Sequence, residues 1–213
     1  MTVQERPHRT IGSSADDIVL ASASQTRRSL LEGAGVPHIV EPSRVDEDEL
    51  KIGLRAEGAS PVEIAEVLAE AKAIYVSRKH SDALVLGADQ ILALEGETID
   101  KPVDRADALA QLQKLRGRRH ELISYAVIVR GGQRIWQGVD RAKLTVRADI
   151  TDDFLNAYID AAGEDIFNGP GGYRVESLGV QLFSAIDGAH YTILGLPLLA
   201  LLDYLRANGI LKT

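Results

Sequence analysis

Asp89 and Lys101 are the pair in this chain best spaced to do chemistry together. They lie in one stretch, Val85 to Pro102, VLGADQILALEGETIDKP. The apolar run Ala83 to Leu86 predicts a buried strand, Gly87 marks where the backbone leaves it, and Asp89 falls just beyond the strand's end. A second apolar run, Ile91 to Leu94, leads into the turn Glu95-Gly96-Glu97, and Pro102 holds Lys101 in extended backbone. A carboxylate met by a lysine that a hairpin returns can set a base or metal ligand beside a cation. Hydrolysis of a charged ester needs that pairing. Taken alone, such an Asp more often caps a turn and such a Lys is solvated.

Other stretches add charge. Ser22-Ala23-Ser24-Gln25-Thr26-Arg27-Arg28 follows the apolar strand Ile18 to Ala21 and precedes a helical face of Leu30, Leu31 and Ala34 that Gly35 ends. Ser22, Ser24, Arg27 and Arg28 thus sit at a strand-to-helix junction, where free N–H groups and the helix dipole attract anions. A serine N-cap followed by exposed arginines is an equal alternative. Asp46 and Glu47 belong to an acidic loop, Ser43 to Glu49, after a predicted strand Pro37 to Glu41. Such loops are usually just solvated, yet these two could supply oxygen ligands to Mg2+ or Mn2+. Lys72 lies near the edge of an apolar helical face made by Ile64, Val67, Leu68, Ala71 and Tyr75, where a lysine ordinarily snorkels to water.

These residues need elements to hold them. Ser60-Pro61-Val62-Glu63 is a capping-box start for the helix that carries Lys72. Asp104 caps a helix from Arg105 to Arg116 that Gly117 ends. His120 to Val129 and Ile135 to Arg147 predict long strands joined at Gly131-Gly132. Thr151 starts a helix through Tyr158, and the glycines of Gly169-Pro170-Gly171-Gly172-Tyr173 allow backbone to approach a ligand closely. Val180 to Ile186 and Tyr191 to Leu194 predict further strands, and Pro197 to Ala207 a last helix stopped by Gly209. The expected fold is mixed α/β: a curved mixed β-sheet flanked by helices, in two lobes with a central cleft. Residues 1–17, polar and aperiodic, are expected to be a loose leader, and residues 18–210 a single domain.

Composition narrows the function classes. The 213 residues are 45% hydrophobic and 26% charged, ordinary for a soluble globular chain. No apolar run suits a membrane span or signal peptide, and the absence of cysteine excludes disulfides and thiolate metal sites, which fits a cytoplasmic enzyme. A net charge of -7 argues against a nucleic-acid surface, but not against a nucleotide met by a local basic cluster.

The segments SASQTRRSLLEGAGVP, VDE, EAKA, GADQILALEGETIDKP, RRHELISYAV, GPGGYRVESLG and YTILGLP occur in the order seen in the Maf family of nucleoside triphosphate pyrophosphatases. The resemblance spans nearly the whole chain, from Ile18 to Ile210. It implies a fold related to that of inosine triphosphatases, hydrolysis of a nucleoside triphosphate to monophosphate and pyrophosphate, and a divalent cation: Mg2+, Mn2+ or Co2+. It also implies a house-cleaning role in the nucleotide pool and an association with septum formation. A division regulator acting through a partner, with incidental catalysis, is therefore the alternative function, and a homodimer is left open.

Position by position, Arg27 and Arg28 match the family's basic pair, Lys72 and Lys101 its lysines, Asp46 or Glu47 its acidic position, and Asp89 its catalytic aspartate. Gln25 and Thr26 depart from the usual proline and larger residue, which bears on loop shape and on one phosphate or base contact. Gln90 and Glu176 stand where pyrimidine-directed members carry threonine and glutamine, and look like the 7-methyl-GTP-directed branch. In such chemistry the four basic residues neutralise phosphate charge as pyrophosphate leaves. Asp89 is then either the proton acceptor or, since a free Asp titrates near about 3.9 and cations lower it, a metal ligand that positions water.

Overall fold

The computed structural model describes residues 18–212; the expected leader, residues 1–17, lies outside the described residues. Ile18–Leu20 (β1) is buried along its length, and the chain then turns into α1 (Gln25–Gly33). β2 (His38–Val40) is followed by two helices, α2 (Glu47–Ala56) and α3 (Pro61–Ser77). Next come β3 (Leu84–Leu94), β4 (Glu97–Ile99), α4 (Arg105–Leu115), β5 (Arg119–Arg130), β6 (Gln133–Val146) and α5 (Asp152–Ala162). Short 3₁₀ turns lead to β7 (Phe183–Asp187), α6 (His190–Ile193) and α7 (Leu198–Ala207). Gly131 and Gly132 both take positive φ at the β5–β6 turn, which a two-residue hairpin of this twist requires.

The strands make one seven-stranded mixed sheet in the order β2-β1-β3-β5-β6-β7, with β4 also on β3. β1 runs parallel to β2 and β3, and the β3–β5–β6–β7 ladder is antiparallel. On one edge of β3, β1 pairs with Leu84 to Leu86 and β4 pairs with Leu92 to Leu94. Between those partners Gly87 to Ile91 pair only with β5. The sheet therefore has an interruption in that edge. The end of β1 leads into it from one side, and β4, running back from Glu97 to Ile99, delivers Asp100 and Lys101 from the other.

Alternation along β3 sends its side chains to both faces. Val85, Ile91 and Ala93 join the cluster built on Ile64, Leu68, Ala69, Ala73 and Val76 of α3. On the opposite face Leu84, Leu86 and Ala88 pack with Leu31, Leu201 and Leu205 from α1 and α7. Further along that face Leu92 and Leu94 pack with Leu112 and Leu115 of α4 and Leu155 and Ile159 of α5. Gln90 and Ser124, paired across β3 and β5, form a polar seam between these two apolar clusters.

The mixed sheet flanked by helices is as expected, but four local expectations are corrected. β3 is one continuous strand, so Asp89 lies within it and not beyond its end. Gly87 serves packing there: a Cβ would lie 2.1 Å from the Ala69 carbonyl oxygen of α3. The acidic loop is in fact the start of α2. Asp46 Oδ1 accepts from Glu49 N–H at 3.0 Å, acidic residues fill the first turn, and Leu50 and Leu54 pack on the α3 cluster. Tyr191 to Leu194 is helical, forming most of α6 and its C-cap, because the buried Thr192 backbone is tied down by Ser124 and Gln90. The strand expected from Val180 begins only at Phe183, since Leu178–Leu182 is a 3₁₀ turn whose Gly179 lies against the Arg174 backbone.

Candidate active site

The capping box of Ser60 and Glu63 starts α3, and its buried face fixes which side chains meet the sheet. Lys72 is on that face and only 5% exposed. Its ammonium lies 2.7 Å from Asp89 Oδ1 and 2.8 Å from Glu47 Oε2. A buried cation persists only when its lost hydration is replaced by such partners. Asp89, itself buried, keeps Oδ2 without a hydrogen-bond partner among the described residues. Glu47 reaches this point because it occupies the first turn of α2.

The junction after β1 supplies the next cation. Ser24 caps α1 by accepting from Arg27 N–H. Ser22 Oγ accepts from Ser24 N–H and from Arg27 Nη1, each at 3.2 Å. Arg27 Nε donates to Gly195 O at 2.8 Å, so the guanidinium is fixed from two directions. Burial lowers its pKa from the ordinary arginine value, against the opposing pull of Asp89 and Glu47. Gly195 has φ +96, a backbone conformation that favours glycine, and it lies against the same guanidinium. Lys101 completes the group. Burial lowers its ammonium pKa, Arg27 and Lys72 lower it further, and Glu47 and Asp89 oppose them.

These residues line a cleft of about 460 Å3, the size range of small-molecule sites. A larger hollow of about 560 Å3 lies beside the start of α3, but its Arg141 and Lys143 are paired with Glu121. It lacks the buried carboxylate–lysine group, so the chemistry is assigned to the smaller cleft. Gln90 lines that cleft, yet its Nε2 donates to the Thr192 and Ile193 carbonyls at 2.8 and 3.0 Å and to Ser124 Oγ. Its amide nitrogen thus holds backbone. Glu176 also lines the cleft, with Oε1 accepting from Arg174 Nε at 2.9 Å, while Arg174 Nη1 reaches Asp165.

Two residues picked from sequence are not brought in. Arg28 is exposed and paired with Glu32 one turn along α1. Asp46 is used as the cap of α2. Two others were missed. Lys51 and Arg174 both line the cleft, and Lys51 Nζ lies 3.0 Å from Asp100 Oδ1. Reading Asp46 as an N-cap would have exposed Lys51, because residues four apart on a helix share a face and Glu47 is its partner in that spacing.

Comparison with known proteins extends this picture. The family described as Maf-like protein matches residues 17–208. A nucleoside triphosphate pyrophosphatase of Paramagnetospirillum magneticum is 48% identical over 191 residues, covering 90% of this chain and 98% of that one. Proteins of the same name from Ruegeria pomeroyi and Rhodopseudomonas palustris are 44% and 47% identical, covering 92% and 95% of this chain and 98% of each relative. Among solved structures, a nucleoside-triphosphatase/dITP/XTP pyrophosphatase of Mycobacterium abscessus aligns at 17% identity. That alignment covers 91% of this chain and 94% of the other, with a TM-score of 0.42.

Proposed function

This chain belongs to the Maf-like protein family, and on that premise we propose that it is a nucleoside triphosphate pyrophosphatase, releasing pyrophosphate and a nucleoside monophosphate. The observation that carries the reading is the convergence of Arg27, Lys72 and Lys101 around Asp89 in one cleft. Water attacking the α-phosphorus meets a strongly negative substrate, and the leaving pyrophosphate gathers more charge as the bond breaks. Fixed cations that need no reorganisation are the effective remedy. Arg27 offers a planar fork already held by Gly195 and Ser22, and Lys101 adds a point charge beside it.

Asp89 is divided between two tasks. Oδ1 is pinned by Lys72, which leaves Oδ2 to accept a hydrogen bond from the attacking water and orient it. Asp89 Oδ2 and Glu47 would hold a divalent cation, Mg2+, Mn2+ or Co2+, which when bound supplies phosphate neutralisation and a lower pKa for water. Asp46 does not fit that role, since its carboxylate caps α2. Among the described residues no three His, Cys, Asp or Glu side chains cluster as a ready-made cation site. That suits a hard cation held by one or two carboxylates and by the substrate's own phosphates.

The base is read as guanine-type, 7-methyl-GTP included, which gives the enzyme a house-cleaning role toward modified nucleotides. Glu176 only accepts hydrogen bonds, and guanine presents adjacent N1–H and N2–H₂ donors. Arg174, bound to the same carboxylate, adds donors suited to the O6 carbonyl. N7 methylation makes the ring cationic and strengthens its attraction to Glu176. The test is a screen of canonical and modified nucleoside triphosphates with Mg2+, Mn2+ or Co2+, following pyrophosphate release. Preference for guanine-type substrates is expected. Release from none of them would refute the activity, and preference for UTP or dTTP would refute the base assignment.

A further inference from the structure

The geometry points to Lys51 as a further phosphate-binding residue, one that takes the departing pyrophosphate; the inference rests on the pyrophosphatase reading above. Lys51 follows Glu47 by one helical turn, so α2 presents a carboxylate and an ammonium on one face. Its side chain is only 15% exposed and lines the cleft. Lysine is seldom so covered without a purpose or a strong partner.

The partner it has is one it can leave. Lys51 Nζ contacts Asp100 Oδ1 at 3.0 Å, but Asp100 Oδ2 is held by Arg55 Nη2 at 2.7 Å. Arg55 is itself fixed by its Nε donating to Thr98 Oγ1 at 2.9 Å. When Lys51 swings away, Asp100 therefore keeps an arginine and is not left as an unpaired charge. Breaking a pair is costly chiefly when it strands one member, and here it does not. Lys72 and Arg27 lack that freedom: Lys72 serves two carboxylates, and Arg27 is clamped to Gly195 and Ser22. Lys51 combines a flexible stem with an expendable contact, beside the residue that precedes Lys101 in the chain. A pyrophosphate group offers more negative charge than the shared Asp100 carboxylate, so the ammonium exchanges toward it.

The experiment compares wild type with Lys51→Met, which keeps the apolar stem, and with Lys51→Arg, which keeps the charge. Inorganic pyrophosphate is titrated calorimetrically with Mg2+ present, and KM and product inhibition are measured alongside. Lys51→Met is expected to weaken pyrophosphate binding and raise KM by about 10- to 100-fold, the worth of one charge-assisted contact. Inhibition by the nucleoside monophosphate stays unchanged, and Lys51→Arg retains most of the affinity. Unaltered pyrophosphate affinity would overturn the assignment, as would an equal loss of monophosphate affinity, which marks a deformed cleft. Lys51→Ala gives the same comparison if the thioether repacks. Should wild type release pyrophosphate from no triphosphate, the activity fails while the direct titration still decides on Lys51.

Discussion

Acid should destabilise this protein well above the range in which its carboxylates titrate, through His120. The imidazole is 1% exposed on β5, with Nε2 2.6 Å from the Tyr173 hydroxyl and the Tyr173 and Phe183 rings packed against it. Burial lowers its pKa from 6.5 to about 4, and its Nδ1 has no partner among the described residues. Tyr173 offers an imidazolium no countercharge, because burial pushes the phenol pKa up and keeps it neutral. With the folded pKa below the unfolded one, the unfolded chain binds the extra proton. Stability is then fully present above the unfolded value of 6.5 and is lost as pH falls toward about 4. The whole difference is about 3 kcal/mol, of which about 2 kcal/mol is lost between roughly pH 7.5 and pH 5, before carboxylates contribute much. Urea unfolding across that window measures it. His120→Gln, which can still partner the Tyr173 hydroxyl but does not titrate, should flatten the slope while lowering stability at neutral pH. An identical slope in wild type and variant would refute the reasoning.

Three further outcomes are expected. Asp89→Asn should lower kcat by about 10²- to 10⁴-fold and should lower the melting temperature too, since the buried Lys72 loses one of its two carboxylates and keeps only Glu47; near-normal turnover would move the chemistry elsewhere. Glu176→Gln should narrow or reverse the preference for guanine-type triphosphates over UTP and dTTP in a competition assay; an unchanged ratio would remove Glu176 from base recognition. Gly87→Ala should destabilise by about 1–3 kcal/mol or more, because its methyl would meet the Ala69 carbonyl at 2.1 Å and push α3 from the sheet; an unaltered thermal melt would contradict that packing.

Elements that announce themselves locally were readable in advance. The Ser60 capping box, the Asp104 cap and the Gly131-Gly132 turn each carry their mechanism in a few adjacent residues, and α3, α4 and the β5–β6 hairpin follow from them. What misled were residues whose role is set by distant neighbours. Gly87 resembles a strand end until Ala69 is seen across from it, and Tyr191 to Leu194 resembles a strand until Gln90 and Ser124 hold its carbonyls. The site divides the same way. Arg27, Lys72, Asp89 and Lys101, taken from three separate stretches, line one cleft, yet neither spacing nor type told that Arg28 would turn to Glu32. Lys51 stays hidden in the sequence because the acidic run Ser43 to Glu49 before it reads as a loop, which conceals the start of α2.

The length of β3 bears on how the molecule opens. Its residues belong to all three apolar clusters: Leu84 and Leu86 to one, Leu92 and Leu94 to another, Val85 and Ile91 to the third. None of these cores can loosen by itself without straining a ladder shared with the others, so the three cores should melt as one cooperative unit. In amide exchange, the hydrogen-bonded N–H groups of β3 should be released with the global transition and not ahead of it. Asp89 rides on that strand. Its carboxylate is thereby anchored to the slowest-opening part of the fold, while Glu47 and Lys51 come from α2, a helix with no buried residue that opens far more readily.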